Sequence, residues 1–405
     1  MTASFLRMAL VLGLLSAIGP FAIDMYLPAL PAIGSALHAD VHVVQSSLLV
    51  FFLSFALSQI VYGPASDIFG RKPPLYVGIV LFVAASIGCA LAPDADWLIG
   101  FRFLQGLGAG APIVVPRAIV RDLHTGAAAT RLMSMLMLVF SVSPILATLL
   151  GSVVIDAAGW RAIFWVVGAV GVLGLGLAAA LLPETRSRAA RIDSDVRSTL
   201  RAFARLLQDA RFLGLTGVGA CGMASFFIYL ANSSFVLIDH YGLTPRQYSL
   251  AFAINAASYI GMSQFAGRLS ARHGLPRVIA AAVFGLAFSM VVLLGLTLGG
   301  IDTLAVLLPG LLVGYGCLGL VVPTCAVLAL EDQAANAGAA SALMGTLQLV
   351  SGAAAIALTS RFVDGSAVPM VAAIALAAST AFALARWTLG GGRRQASHVS
   401  IPRSG

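Results

Sequence analysis

The stretch "GPASDIFGRKPPLYVG" at residues 63–78 returns in altered form as "GRLSARHGLPRVIAAA" at 267–282. Each copy opens on a glycine, places a second glycine seven residues later and keeps basic residues close by. Each also joins two apolar runs. Working outward from this pair, the 405 residues are 60% hydrophobic and only 10% charged. A soluble domain usually carries about 25% charged residues, so this chain cannot cover a water-facing surface of normal size. A membrane-crossing helix needs roughly 20 apolar residues. Runs of that kind lie at 8–29, 43–64, 74–93, 97–119, 130–154 and 161–182. After a polar segment they continue at 211–235, 246–266, 276–298, 303–329, 337–361 and 368–388. The expected fold is therefore an all-α polytopic membrane protein of twelve transmembrane helices, arranged as two pseudosymmetric six-helix bundles. The first bundle covers 1–182 and the second 211–388, with a basic linker at 183–210 and a tail at 389–405.

The distribution of charge orients the chain. The formal net charge is +8, and nearly all the positive charge is arginine. If both termini and the linker lie on the cytoplasmic side, that side holds all 24 basic residues except Arg102, Arg161, Arg246 and Arg361. This is the asymmetry of the positive-inside rule. It accounts for the basic balance without nucleic acid. The expected location is the inner membrane, multi-pass. The first apolar run is longer than a signal-peptide core and lacks a cleavage pattern, so it reads as a retained span. The second part of the linker is amphipathic enough for a helix along the membrane surface. Repeated six-helix halves are an arrangement typical of transporters.

Cys89, Cys221, Cys317 and Cys325 lie in apolar segments without short spacing, and the six histidines fall in loops or the tail. Neither pattern calls for a disulfide framework or a metal. No metal or organic cofactor is expected, and the energy source would be a proton gradient.

A charge at the centre of a bilayer costs about 2.5–3.5 kcal/mol on insertion scales, so each one needs a reason. From Leu10 to Leu37 the single charged residue is Asp24, within "AIDMYLPALP". Pro20, Pro28 and Pro31 would kink this span and free carbonyls beside a cavity. Desolvation there would favour a protonated carboxyl able to exchange its proton. The competing reading places Asp24 at the outer water interface. Arg102, in "GFRFLQGLGAG", lies more than a turn inside span 4 and must find an anion, a carbonyl or water. Asp24 is its expected electrostatic partner, and snorkelling to the surface is the alternative. Gly106, Gly108 and Gly110 give span 4 a small-residue face for close helix contact, as Gly338, Ala342, Gly345 and Gly352 do in span 11.

The second half carries no buried acid. Phe226, Phe227, Tyr229 and Asn232 in span 7, with Asn255 and Tyr259 in span 8 and Tyr26 in span 1, form a candidate substrate cavity. Flat apolar faces with a few hydrogen-bonding groups suit an amphipathic organic guest. Interhelical hydrogen bonds are the plainer reading of the same residues.

These strings resemble known ones. "GPASDIFGRKPPL" is similar to the loop between spans 2 and 3 of the major facilitator superfamily, and "RFLQGLGAG" to the span-4 motif of its proton-driven drug exporters. "IDMYLPALPAI", "YGPASDIFGRKP", "RAIVRDL", "GWRAIFWV" and "LPET" resemble the bicyclomycin and chloramphenicol resistance (Bcr/CflA) branch. The resemblance implies a proton antiporter exporting drug-like molecules from two bundles that rock about a central cavity. It implies Asp24 and Arg102 as the proton- and substrate-coupling residues. It also implies Gly63, Asp67, Gly70 and Arg71 as a conformational latch, in which Asp67 meets the start of span 11 near Asn336 and Arg71 reaches Asp122. Two departures stand out: Ile68 where the superfamily usually has a base, and Ser143 and Thr148 around Pro144 where many relatives have glycine or alanine.

The partners expected are a small drug-like molecule, protons and the lipid bilayer, with no nucleic acid and a monomeric state. The alternative is a proton symporter of the same superfamily importing a metabolite. An intramembrane enzyme would need clustered nucleophile and base inside the spans, which the positions of the histidines do not offer.

Overall fold

The computed structural model describes residues 3–124, 126–186, 196–331, 333 and 337–396. Secondary structure among them is helical throughout. Span 1 is α1 (Ala3–Asp24) followed, after a 3-10 turn at Leu27–Ala29, by α2 (Leu30–Ala36). Spans 2 and 3 are α3 (Val41–Ile68) and α4 (Lys72–Leu91). Span 4 is α5 (Ala95–Ala109) with α6 (Ala111–Leu123), and spans 5 and 6 are α7 (Gly126–Ala158) and α8 (Trp160–Leu181). The second part of the linker, where a helix is expected, forms α9 (Val196–Leu206). Span 7 is α10 (Ala210–Ser234), continued by a π-helical turn at Phe235–His240. The remaining spans are α11 (Pro245–His273), α12 (Leu275–Leu298), α13 (Leu304–Glu331), α14 (Ala337–Thr359) and α15 (Val368–Ala396).

Twelve spans are thus present. Among the described residues eleven segments are long and apolar enough to cross a membrane by length and composition alone. The remaining one, α11, is 29 residues long. Its apolar run is diluted by Asn255, Ser258, Tyr259, Ser263 and Gln264, so its length and place in the repeat identify it better than its hydropathy.

The structure also gives the repeated loop its physical reason. Gly70 and Gly274, the second glycines of the two copies, have φ of 93° and 82°. A side chain is strained in that left-handed region, so each turn into the next span needs glycine.

Packing divides the chain into two compact units. Unit 1 comprises Met1–Arg197, Leu230–Ala256 and Ile356–Ser366, and unit 2 comprises Ser198–Tyr229, Ala257–Ala355 and Ala367–Gly405. Within unit 1, α5 packs against α3 and α4, α8 against α4, and α1 against α6, α7 and α8. The glycine face of span 4 is what lets α5 approach so closely. A Cβ on Gly106 would run into Ser54 Oγ and the Phe51 carbonyl, and one on Gly108 would lie 2.5 Å from the Phe82 nitrogen. Within unit 2, α12 packs against α13 and α15. The small residues of span 11 are less uniform: Gly352 lies against the Phe227 ring, whereas Gly345 faces open space.

Candidate functional site

Proline chemistry builds the first part of the site. Pro28 has no N–H, so the Asp24 carbonyl loses the amide four residues on that would continue the helix. α1 therefore ends at Asp24, and the chain turns through Met25 and Tyr26 before winding again. Gly151 of span 5 backs against this break, at a point where a Cβ would sit 2.5 Å from the Met25 carbonyl oxygen. Asp24 is only 4% exposed. Among the described residues no hydrogen bond or ion pair reaches its carboxyl group. The residue is thus buried in protein rather than open to solvent, and it stands at a helix discontinuity, where transporters place ion and substrate sites.

Arg102 is fully buried. Its Nη1 donates to the Ala22 carbonyl at 3.0 Å and to Gln105 Oε1 at 2.6 Å. Its guanidinium carbon lies 4.5 Å from the centre of the Tyr26 ring and 4.3 Å from that of Phe51. Each such cation–π contact contributes about 0.5–2 kcal/mol. Among the described residues, Nε and Nη2 are buried without a hydrogen-bond partner. The expected ion pair with Asp24 is not formed in this structure. A carbonyl two residues before Asp24, an amide and two aromatic faces hold the cation instead, and snorkelling is excluded by the same burial.

The surrounding polar groups fix that arrangement. Gln105 Nε2 donates to Ser86 Oγ at 2.8 Å, and Ser86 donates to the Phe82 carbonyl at 2.7 Å. The chain of donors leaves the Gln105 amide oxygen turned toward Arg102. Ser47 Oγ donates to the Val44 carbonyl at 2.6 Å, so the Tyr26 hydroxyl is the donor in the 2.8 Å contact between them. Gln105, Ser86 and Phe51 were not singled out from the sequence. Gln105 stands three residues after Arg102, the helical spacing of side-chain neighbours, and that was the available signal.

A second cluster gathers where spans 2, 3, 4 and 6 reach their arginine-rich loops. Arg71, 3% exposed, donates from Nε and Nη2 to the two oxygens of Asp122 at 2.7 and 3.1 Å. Its Nη1 donates to Asp67 at 2.7 Å and to Ser66 at 2.8 Å. Burial works against its charge, but hydrogen bonding and Coulomb attraction from Asp122 and Asp67 outweigh it and raise its pKa above the ordinary arginine value. The Arg71–Asp122 contact read from the sequence is present. Gly70 supplies the turn before Arg71, and Gly63 has open space around it. The expected contact of Asp67 with the start of span 11, near Asn336–Gly338, falls in part on Asn336, outside the described residues. Ile68 is 37% exposed, and a second cation near Asp67 comes from Arg186, 3.9 Å away.

The "LPET" segment after span 6 completes this cluster, a role its sequence did not announce. Glu184 accepts from the backbone amides of Arg71 and Lys72 at 2.9 and 3.1 Å, capping α4. Thr185 donates to Asp122 at 2.8 Å, and Lys72 Nζ donates to the Leu182 carbonyl at 2.9 Å.

The candidate cavity residues separate. In unit 2, Phe226 stacks on Tyr259 with ring centres 6.3 Å apart and meets Tyr315 edge-on at 5.8 Å. Tyr229 lies 5.2 Å from Tyr315, whose hydroxyl donates to the Ser225 carbonyl at 3.2 Å. Tyr315, in span 10, was not among the residues expected here. Phe227 is turned toward Gly352 of span 11. Tyr26, Asn232 and Asn255 belong to unit 1 and are buried. Asn232 accepts a hydrogen bond from Gln45 at 3.0 Å, an interhelical bond of the plainer kind.

Comparison with known proteins bears on the fold and the family. A bacterial homolog to the human lysosomal transporter Spinster superposes with a TM-score of 0.77 at 13% identity, covering 99% of this chain and 100% of that one. A D-xylose-proton symporter gives 0.73 at 15% identity, covering 95% and 97%. At such identities the likeness is one of fold. By sequence, the chain is 35% identical to an uncharacterized MFS-type transporter, YdgK, of Bacillus subtilis, over 86% of this chain and 87% of that protein. It is 29% identical to a bicyclomycin resistance protein homolog of Haemophilus influenzae over 89% and 91%. It is 33% identical to a chloramphenicol resistance protein of Pseudomonas aeruginosa over 68% and 64%. The family model of the Major Facilitator Superfamily matches residues 12–356. Repeated six-span halves, glycine turns at the equivalent loops and this match together make the chain a member of the Major Facilitator Superfamily.

Proposed function

We propose that the chain is a proton-coupled efflux transporter, exporting drug-like small molecules across the inner membrane by alternating access. Both termini face the cytoplasm in this reading, which the arginine distribution supports. The observation that carries it is Asp24: a residue 4% exposed, at a helix break, two residues after the Ala22 carbonyl that a fully buried arginine holds. A carboxylate in that position is stable only when protonated or when countered, so binding and release of a proton change the balance of forces inside the first bundle. Relatives named for bicyclomycin and chloramphenicol resistance support an organic drug as the counter-substrate. The aromatic group of Phe226, Tyr229, Tyr259 and Tyr315 offers such a molecule flat contact in the second half.

In this account Arg102 supplies the positive potential that protonated Asp24 no longer answers, and substrate or proton satisfies the site in turn. The Arg71 cluster stabilises one of the two shapes, and the gradient supplies the direction. The experiment is drug-dependent proton movement in proteoliposomes, screened over a panel of drugs and metabolites. Proton movement opposite to drug movement supports the antiporter, and movement of both in one direction supports the symporter.

A further inference from the structure

A carrier that exposes its site to one side at a time needs a closure at each end. The arginine-poor ends of spans 7, 8 and 11 belong to unit 1, together with the first six spans. Named side-chain contacts fasten two of them there. Gln45, fully buried near the start of α3, donates to the Ala231 carbonyl at 3.1 Å and to Asn232 Oδ1 at 3.0 Å. Ser249 of span 8, also fully buried, donates to the Thr148 carbonyl of span 5 at 2.9 Å. Toward the loops, Arg246 meets Asp156 at 2.7 Å, the two side chains being 65% and 36% exposed.

The local backbone on both sides of these bonds is irregular. Three residues after Asn232 the helix widens into the π turn Phe235–His240, a conformation found mostly at functional sites. α2 packs against that turn. α2 is in turn joined to α1 only through the break that carries Asp24. The segment over the end of span 7 is therefore a short helix on a hinge, and the hinge carries Asp24, the proton site proposed above.

We infer that the Gln45–Ala231/Asn232 and Thr148–Ser249 bonds form the closed outer gate of the transport cycle, with α2 as its lid and Asp156–Arg246 as an exposed outer lock. The inference takes its outer side from the orientation proposed above, while the gate residues follow from contacts within unit 1. Opening to that side requires these bonds to part. Gln45 contributes two buried bonds, so its loss favours the parted state by roughly ten-fold. The exposed ion pair is weaker, with an effect of up to about five-fold.

The test uses A253C, a buried position one helical turn beyond Ser249 that makes none of the gate bonds, in a chain whose four native cysteines are replaced, and a membrane-impermeant maleimide added to the outside of intact cells. Ala253 is inaccessible while the gate is shut. The parent background should label slowly. Q45A should label roughly ten-fold faster, N232A about three-fold faster, and D156N by a smaller factor. N232A serves as the second variant should Q45A fail to insert. Equal rates in parent and variants, or labelling from the arginine-rich side alone, would overturn the gate. The readout needs no transported drug. Faster labelling without export of any drug would leave the gate standing and remove the efflux reading, whereas export with unchanged labelling would do the reverse.

Discussion

Arg71→Gln tests how firmly the inner cluster is tied. The substitution removes two hydrogen bonds to Asp122, one to Asp67 and one to Ser66. Their values differ with exposure. The Asp122 side chain is 15% exposed and the Asp67 side chain 43%, while the Arg71 side chain is 4% exposed. A fully exposed pair is worth about 0.2–1 kcal/mol, and breaking a buried one costs about 3–5 kcal/mol. The Asp122 contact lies between these limits, at about 1–3 kcal/mol, and the Asp67 contact at about 1 kcal/mol or less. A double-mutant cycle of R71Q with D122N, and a second with D67N, separates the two. Reversible unfolding in mixed detergent–SDS micelles supplies the free energies. A coupling to Asp122 below about 0.5 kcal/mol, or one smaller than the coupling to Asp67, would refute the ranking by burial.

Other substitutions probe separate parts of the account. Glu184→Gln keeps the cap shape but loses its charge, and should cost about 0.5–2 kcal/mol in the same unfolding assay; no change would mean the linker does not hold α4. Gly106→Ala forces a Cβ into Ser54 and the Phe51 carbonyl. It should lower stability by about 1–3 kcal/mol, and a neutral result would mean that α3 and α5 are not in close contact. Arg102→Lys keeps a charge but loses the planar group held between Tyr26 and Phe51, so drug-dependent proton movement should fall even though the protein inserts. Full activity in that variant would make the ring contacts incidental.

Much of the fold was legible because lipid imposes a single rule: backbone groups must be satisfied within each span. Apolar length and arginine placement locate the spans, and the glycine turns at Gly70 and Gly274 mark the repeat. Span 8 was the least distinct, since its polar face serves contacts such as Ser249–Thr148. Asp24 and Arg102 were legible as charges that needed a reason, and the helix break followed from Pro28. Their relation was not. A sequence shows that an arginine must find a partner, whereas only packing shows that the Ala22 carbonyl, Gln105 and two rings arrive first. Glu184 and Gln45 escaped notice for the same cause. Each acts on a backbone group distant in sequence, at Arg71 and Lys72 or at Ala231, and no local spacing encodes that meeting.

The central claim is that Asp24 carries the proton, and one measurement addresses it directly. Purified parent and Asp24→Asn proteins are placed in proteoliposomes, and proton movement is recorded on adding a drug that the parent transports. Drug binding is measured on the same samples to establish that the variant is folded. The account predicts that the parent couples drug to proton movement, while Asp24→Asn binds drug but moves no protons in response. Undiminished drug-dependent proton movement in Asp24→Asn would contradict it.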